Sequence, residues 1–133
     1  MPPSDIKDQL VEEIKGHLDP YLHKLNSYRI ENEQRKIEII GNSDNKPFTL
    51  IRIDVYEEWK QLYIPRIYLP DFLKHQGIGK KLIKVIYNKA KQSQYELFIA
   101  QMTDSFYARM RNRGALECEK SDMVQIVDTT ILD

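Results

Sequence analysis

The sequence predicts one mixed α/β domain, with a mostly antiparallel sheet flanked by helices. Three observations predict it. Apolar residues recur every three to four positions in 4–26, 78–92 and 103–112, the period of a helix buried on one side. From Tyr28 to Leu69 the period falls to two, as in a strand. Gly77-Ile78-Gly79 stands where the strand pattern gives way to the most regular helix. A chain of 133 residues is long enough for one core, so 1–133 reads as a single domain, with helices over 4–26 and the sheet over 36–133.

Residues 4–18 read as an amphipathic helix. Ile6, Leu10, Ile14 and Leu18 repeat every four positions with Val11 beside them, and Glu12, Glu13 and Lys15 fall opposite. Ser4 is the expected N-cap. Asp19-Pro20 reads as a cap and a first-position proline, opening a second short helix to about Asn26. His17 and His23 read as ordinary histidines rather than metal ligands.

Lys36 to Ile40 is a short strand, and Gly41 to Pro47 is dense in turn formers. Phe48 to Trp59 is a longer strand. Its core face is Ile51, Ile53 and Val55, alternating with Leu50, Arg52, Asp54 and Tyr56. Glu57 to Gln61 is a hairpin connection, and Leu62 to Leu69 is the next strand. Pro65 removes a ladder donor there, which marks either an edge or a bulge. A bulge would splay the strand from its neighbour and open a slot in the sheet.

Residues 78–92 form the central helix, with Ile78, Leu82, Ile83, Ile86 and Ala90 as its apolar stripe. Tyr95 to Ala100 is a buried strand. Thr103 or Asp104 caps a helix to about Asn112, stopped by Gly114. Ala115 to Glu119 and Met123 to Ile131 close the chain as an antiparallel pair. The last strand is the expected edge, where a second copy could pair.

Charge is unevenly placed. The chain has 20 basic and 20 acidic residues, yet Phe72 to Tyr95 contains no acid and six lysines: Lys74, Lys80, Lys81, Lys84, Lys89 and Lys91. The first amides of a helix lack intrahelical partners and sit at its positive end. The glycine turn therefore reads as an anion site. On charge alone, a solvated lysine face is the plainer alternative. A P-loop is excluded, because Lys81 stands where Ser or Thr is needed. The single cysteine, Cys118, forms no internal disulfide, and the first residues carry no apolar signal region. No apolar run reaches membrane-span length. A cytoplasmic protein without a membrane partner is expected.

Lys74-His75-Gln76-Gly77-Ile78-Gly79 fits the phosphate motif of the GNAT family of N-acetyltransferases: Arg or Gln, two residues, Gly, one residue, Gly or Ala. Lysine holds the first place. Leu69-Pro70-Asp71-Phe72 is similar to the family's strand ending, and Ser105 to Met110 to its tyrosine-bearing helix. Over residues 48–133 the chain thus resembles the GNAT family. It departs from the pattern in one extra residue after Pro70, and in Gly114 standing seven places after Tyr107 rather than four. Gln101 or Asp104 stands where Asn is common, and no strand is read before the first helix.

The resemblance implies an acetyl-CoA-dependent N-acetyltransferase with coenzyme A as product, acting on a primary amine by direct attack. It implies a splayed strand pair forming the acetyl-CoA slot. The pyrophosphate would lie on Lys74, Gln76, Gly77, Ile78, Gly79, Lys80 and Lys81, and the pantetheine arm beside Ile67 and Leu69. Tyr107 would protonate the departing thiolate. Glu57 or Glu58, at the hairpin, is the candidate base for the amine. No metal is implied. The acceptor, a small molecule or a protein amine, stays open. A catalytically weak CoA-binding module of the same fold is the alternative. A nucleic-acid partner is not expected, since only Tyr87 interrupts the lysine face. Cys118 has no nearby histidine to activate it.

Overall fold

The computed structural model describes residues 6–22, 27–33, 35–43, 46–67, 78–100, 104–118 and 123–132. They form α1 (Ile6–Leu22), β1 (Ser27–Glu33), β2 (Lys36–Ser43), β3 (Lys46–Tyr56), β4 (Gln61–Ile67), α2 (Ile78–Gln92), β5 (Glu96–Ile99), α3 (Asp104–Asn112), β6 (Leu116–Glu117) and β7 (Val124–Ile126). The strands make one sheet in the order β1-β2-β3-β4-β5-β7-β6. Every pairing is antiparallel except β4 with β5. The mixed, mostly antiparallel sheet with flanking helices is the expected class.

One side of the sheet is the core. Ile37, Ile39, Ile51, Ile53, Val55, Leu62, Ile64, Leu97 and Ile99 are buried there. Ile6, Leu10, Ile14 and Leu18 of α1 and Leu82, Ile83, Ile86 and Ala90 of α2 belong to the same cluster. Each large aliphatic chain so buried contributes about 1.5–3 kcal/mol. The α1 stripe also explains a correction. The helix runs on through Asp19 and Pro20 to Leu22 instead of restarting there. Proline near a helix end removes few backbone bonds, and Leu18 anchors the last turns in the core.

The sheet also starts earlier than expected. Ser27–Glu33 is a strand, paired along its whole length with β2. β2 extends to Ser43 and β3 starts at Lys46, so the expected long turn is much shorter. Leu50 departs from its expected outward face and is fully buried. Ile39 pairs Ile51 and Ile40 pairs Thr49, so Leu50 is the extra residue of a bulge, and alternation breaks there. β3 ends at Tyr56, before the turn 57–60. β7 is not an edge. It lies between β5 and β6, which leaves β1 and the two-residue β6 outermost.

α2 and α3 end alike. The Tyr95 amide donates to the Ala90 carbonyl and Gln94 has φ 63°. The Ala115 amide donates to the Met110 carbonyl and Gly114 has φ 97°. Both are Schellman ends with a left-handed residue after the helix. Among the described residues no helix is long and apolar enough to cross a membrane.

Candidate acyl-transfer site

Pro65 makes a bulge, not an edge. Arg52 pairs Arg66 and Asp54 pairs Tyr63, so Ile64 and Pro65 together oppose Ile53. β4 is flanked on both sides up to that point. Gln61, Leu62, Tyr63 and Ile64 pair in parallel with Glu96, Leu97, Phe98 and Ile99. The last link is the Ala100 amide donating to the Ile64 carbonyl at 3.0 Å. Beyond it β4 continues through Ile67, paired with Ile51 of β3, and no described residue of β5 accompanies it. The bulge turns the strand at this residue, and among the described residues the parallel pair ends here. None of the described residues pairs with that edge of β4 from Pro65 to Ile67.

α2 begins at the same end of the sheet. Its C-terminus lies at the opposite end: Tyr95 follows the helix directly, and the Glu96 amide bonds the Lys60 carbonyl at 2.9 Å. Fifteen helical residues therefore put its N-terminus about 22 Å away, at the end of the sheet that β4 reaches at Ile67. The first turn contains no acid. Gly79 and Lys80 are half-buried there and Lys81 is exposed. Lys80, Lys81 and Lys84 line an open depression of about 420 Å³ with His17, Val85, Asn88 and Leu132. His17, expected to be ordinary, is exposed among these lysines. Lys74, Gln76, Gly77 and Leu69 lie outside the described residues, as do His23 and the expected cap Ser4. Ile78 opens α2, and Ile67 is the last residue of β4.

Tyr107 stands in the first turn of α3, three residues after the helix start at Asp104. It is half-buried. Burial pushes its pKa up, and the Glu117 carboxylate adds to this while Arg111 opposes it. Cys118 lies close enough to act on both Tyr107 and Tyr63. Its own thiol is pushed up by burial, which makes it a poor nucleophile. Tyr107 thus belongs to the end of the sheet where β4 and β5 part.

Glu57 and Glu58 do not. They occupy the β3–β4 turn, at the end of β4 away from the bulge. From Gln61 to Pro65 is already roughly 13 Å of strand. Glu58 is bound to Arg35 at 2.8 Å, and both glutamates line a separate depression with Arg35 and Val55. Both glutamates therefore lie away from the bulge. Asp54 is nearer, opposite Tyr63, and is paired with Arg52 at 2.9 Å. No cluster of three or more metal-ligating side chains occurs among the described residues.

One feature of this region was not joined up from sequence. Trp59, Tyr56, Tyr63 and Phe98 form a continuous aromatic row on the open face. Period two put Tyr56 on that face. Linking it to Phe98 needs the parallel register of β4 and β5, which no local pattern carries.

No family model matches the chain, and no curated protein matches it. Among solved structures it is similar to one from Klebsiella pneumoniae, provisionally named an acyl-CoA N-acyltransferase. That match has 18% identity and a TM-score of 0.49, and covers 94% of this chain and 92% of the other. It is also similar to one from Agrobacterium tumefaciens, provisionally named an acetyltransferase. There the identity is 12% and the TM-score 0.44, with the same coverage of 94% and 92%. Likeness at this level speaks to neither activity nor substrate.

Proposed function

We propose that the chain is an acetyl-CoA-dependent N-acetyltransferase acting on a primary amine. The observation that carries this reading is the parting of β4 from β5 at Pro65, at the end of the sheet where an acid-free helix begins. A free strand edge can bond an extended amide-bearing arm, and helix-end amides suit a pyrophosphate. Coenzyme A combines both. In this reading the pyrophosphate lies on the first turn of α2, with Gly79, Lys80 and Lys81 contributing. The pantetheine arm lies along β4 from Pro65 through Ile67 and onward to Leu69. Lys74, Gln76 and Gly77 complete the phosphate site.

The amine nitrogen attacks the thioester carbonyl carbon, and a C–N bond forms. The C–S bond then breaks. Tyr107, protonated at neutral pH as an ordinary phenol is, gives its proton to the departing thiolate. The proton lost by the amine passes through water to Asp54, the carboxylate nearest the slot on the open face. Glu57 and Glu58 enter only through a longer water chain. A backbone donor on the oxyanion would contribute about 3 kcal/mol to the transition state.

Release of free thiol from acetyl-CoA in the presence of a panel of primary amines tests the reaction. Thiol release that depends on an amine is the expected result. Coenzyme A binding without release for any amine class would favour the binding-module reading instead.

A further inference from the structure

We propose that the open face of the sheet is the acceptor site, and that it takes a primary amine carried on an aromatic or apolar body. The inference rests on the acyl-transfer reading and names its substrate class. The core side of the slot is closed: Ile64, Ile99, Leu82 and Ile83 are at most 1% exposed. An acceptor must therefore come from the opposite face, where Tyr63 and Phe98 form the last open-face rung before β4 and β5 part. Their rings stack with centroids 5.0 Å apart. Tyr56 meets Tyr63 edge-on at 5.4 Å, and Trp59 stacks on Tyr56 at 5.6 Å. Exposure rises along the row, from 9% at Phe98 to 64% at Trp59. A flat or greasy body laid on this row would bury aromatic surface while its amine pointed at the slot.

Charge disfavours the competing class. A polyamine or aminoglycoside needs several carboxylates not already paired with a cation, because each buried ammonium must be paired. On this face Asp54 lies 2.9 Å from Arg52 and Glu38 3.5 Å from Lys36, so both already have a cation. Glu96, which accepts from the neutral Gln125 amide at 3.1 Å, is a single further charge. Tyr63 is not a free hydroxyl either, since it donates to Gln61 at 3.0 Å.

Trp59 is the only tryptophan, so its emission reports this face alone. Titration with phenethylamine should shift that emission saturably, and spermidine at equal concentration should not. In amine-dependent thiol release, phenethylamine should show a KM at least about tenfold below that of spermidine. Tyr63→Ala should raise the phenethylamine KM roughly tenfold, with the loss in KM rather than kcat, and Tyr63→Phe should restore it. Equal responses to both amines, or a KM indifferent to Tyr63→Ala, would overturn the inference. If acetyl-CoA stabilises the chain but neither amine moves the emission, the acceptor site is elsewhere and the cofactor reading survives. If phenethylamine saturates the emission while acetyl-CoA has no effect on stability, the cofactor reading fails and the acceptor role falls with it.

Discussion

Tyr107 carries a phenol proton at neutral pH, as an unperturbed tyrosine also does. Burial first, then Glu117, raises its pKa, which holds that proton more tightly. Tyr107→Phe should lower kcat about a hundredfold while leaving acetyl-CoA binding intact. An unchanged kcat would remove the residue from the mechanism. Two other residues carry opposite stability predictions for the same motif. Gly114 has φ 97°, and a Cβ there would meet the Thr129 carbonyl oxygen at 3.0 Å. Gly114→Ala should cost about 1–3 kcal/mol in urea unfolding. Gln94 holds the matching place after α2 at φ 63°, where an L-residue costs about 1 kcal/mol. Gln94→Gly should therefore stabilise by up to about 1 kcal/mol. A loss of stability on that change would mean that Gln94 contributes something other than its backbone.

Between elements, α2 is fastened to the segment after β7. Tyr87 donates to Asp128, and Lys91 lies 2.9 Å from the same carboxylate. Burial, then this hydrogen bond, pushes Tyr87 up to about 12 from its ordinary 10.0. The Tyr87 bond, then Lys91, lowers Asp128. The raised tyrosine lends stability that is whole below pH 10 and declines as pH rises towards 12. The lowered carboxyl lends stability present above its unfolded value of about 3.9 and lost as pH falls through the folded one. Tyr87→Phe should make the alkaline limb of a stability–pH curve shallower between those limits. An identical limb would show that the fastening does not persist in solution. Elements also differ in how far sequence alone reveals them. The bounds of α2 are as read, because its stripe and the glycine turn before it are local signals. β1 was not read as a strand. It offers only Tyr28 and Ile30 as apolar residues, both half-buried, and takes its shape from β2. Leu50 was misassigned because a bulge is a property of two strands together. Pro65 was readable as a bulge or an edge, and only the partner strands decide between them.

At the scale of the molecule, zero net charge conceals a division. One helix has lysines and no acid in its first turn, and the balancing acids lie elsewhere. That division and the glycine spacing are what the sequence offers for a phosphate site, and of its residues Ile78, Gly79, Lys80 and Lys81 fall in the first turn of α2. The catalytic end is less legible. Glu57 and Glu58 suit a base by position in the chain, but the β3–β4 turn lies at the end of β4 away from the bulge. The most direct measurement is thermal unfolding with and without acetyl-CoA, on the natural chain and on Gly79→Glu. An acid in the first turn of a helix is tolerated by folding, so the variant should melt as an intact protein. At a hundred times its Kd, acetyl-CoA should add about 2.7 kcal/mol to the natural chain, several degrees in Tm. Gly79→Glu should show no such rise. Equal rises in both proteins would contradict a phosphate site at the start of α2, and no rise in the natural chain would contradict coenzyme A binding altogether.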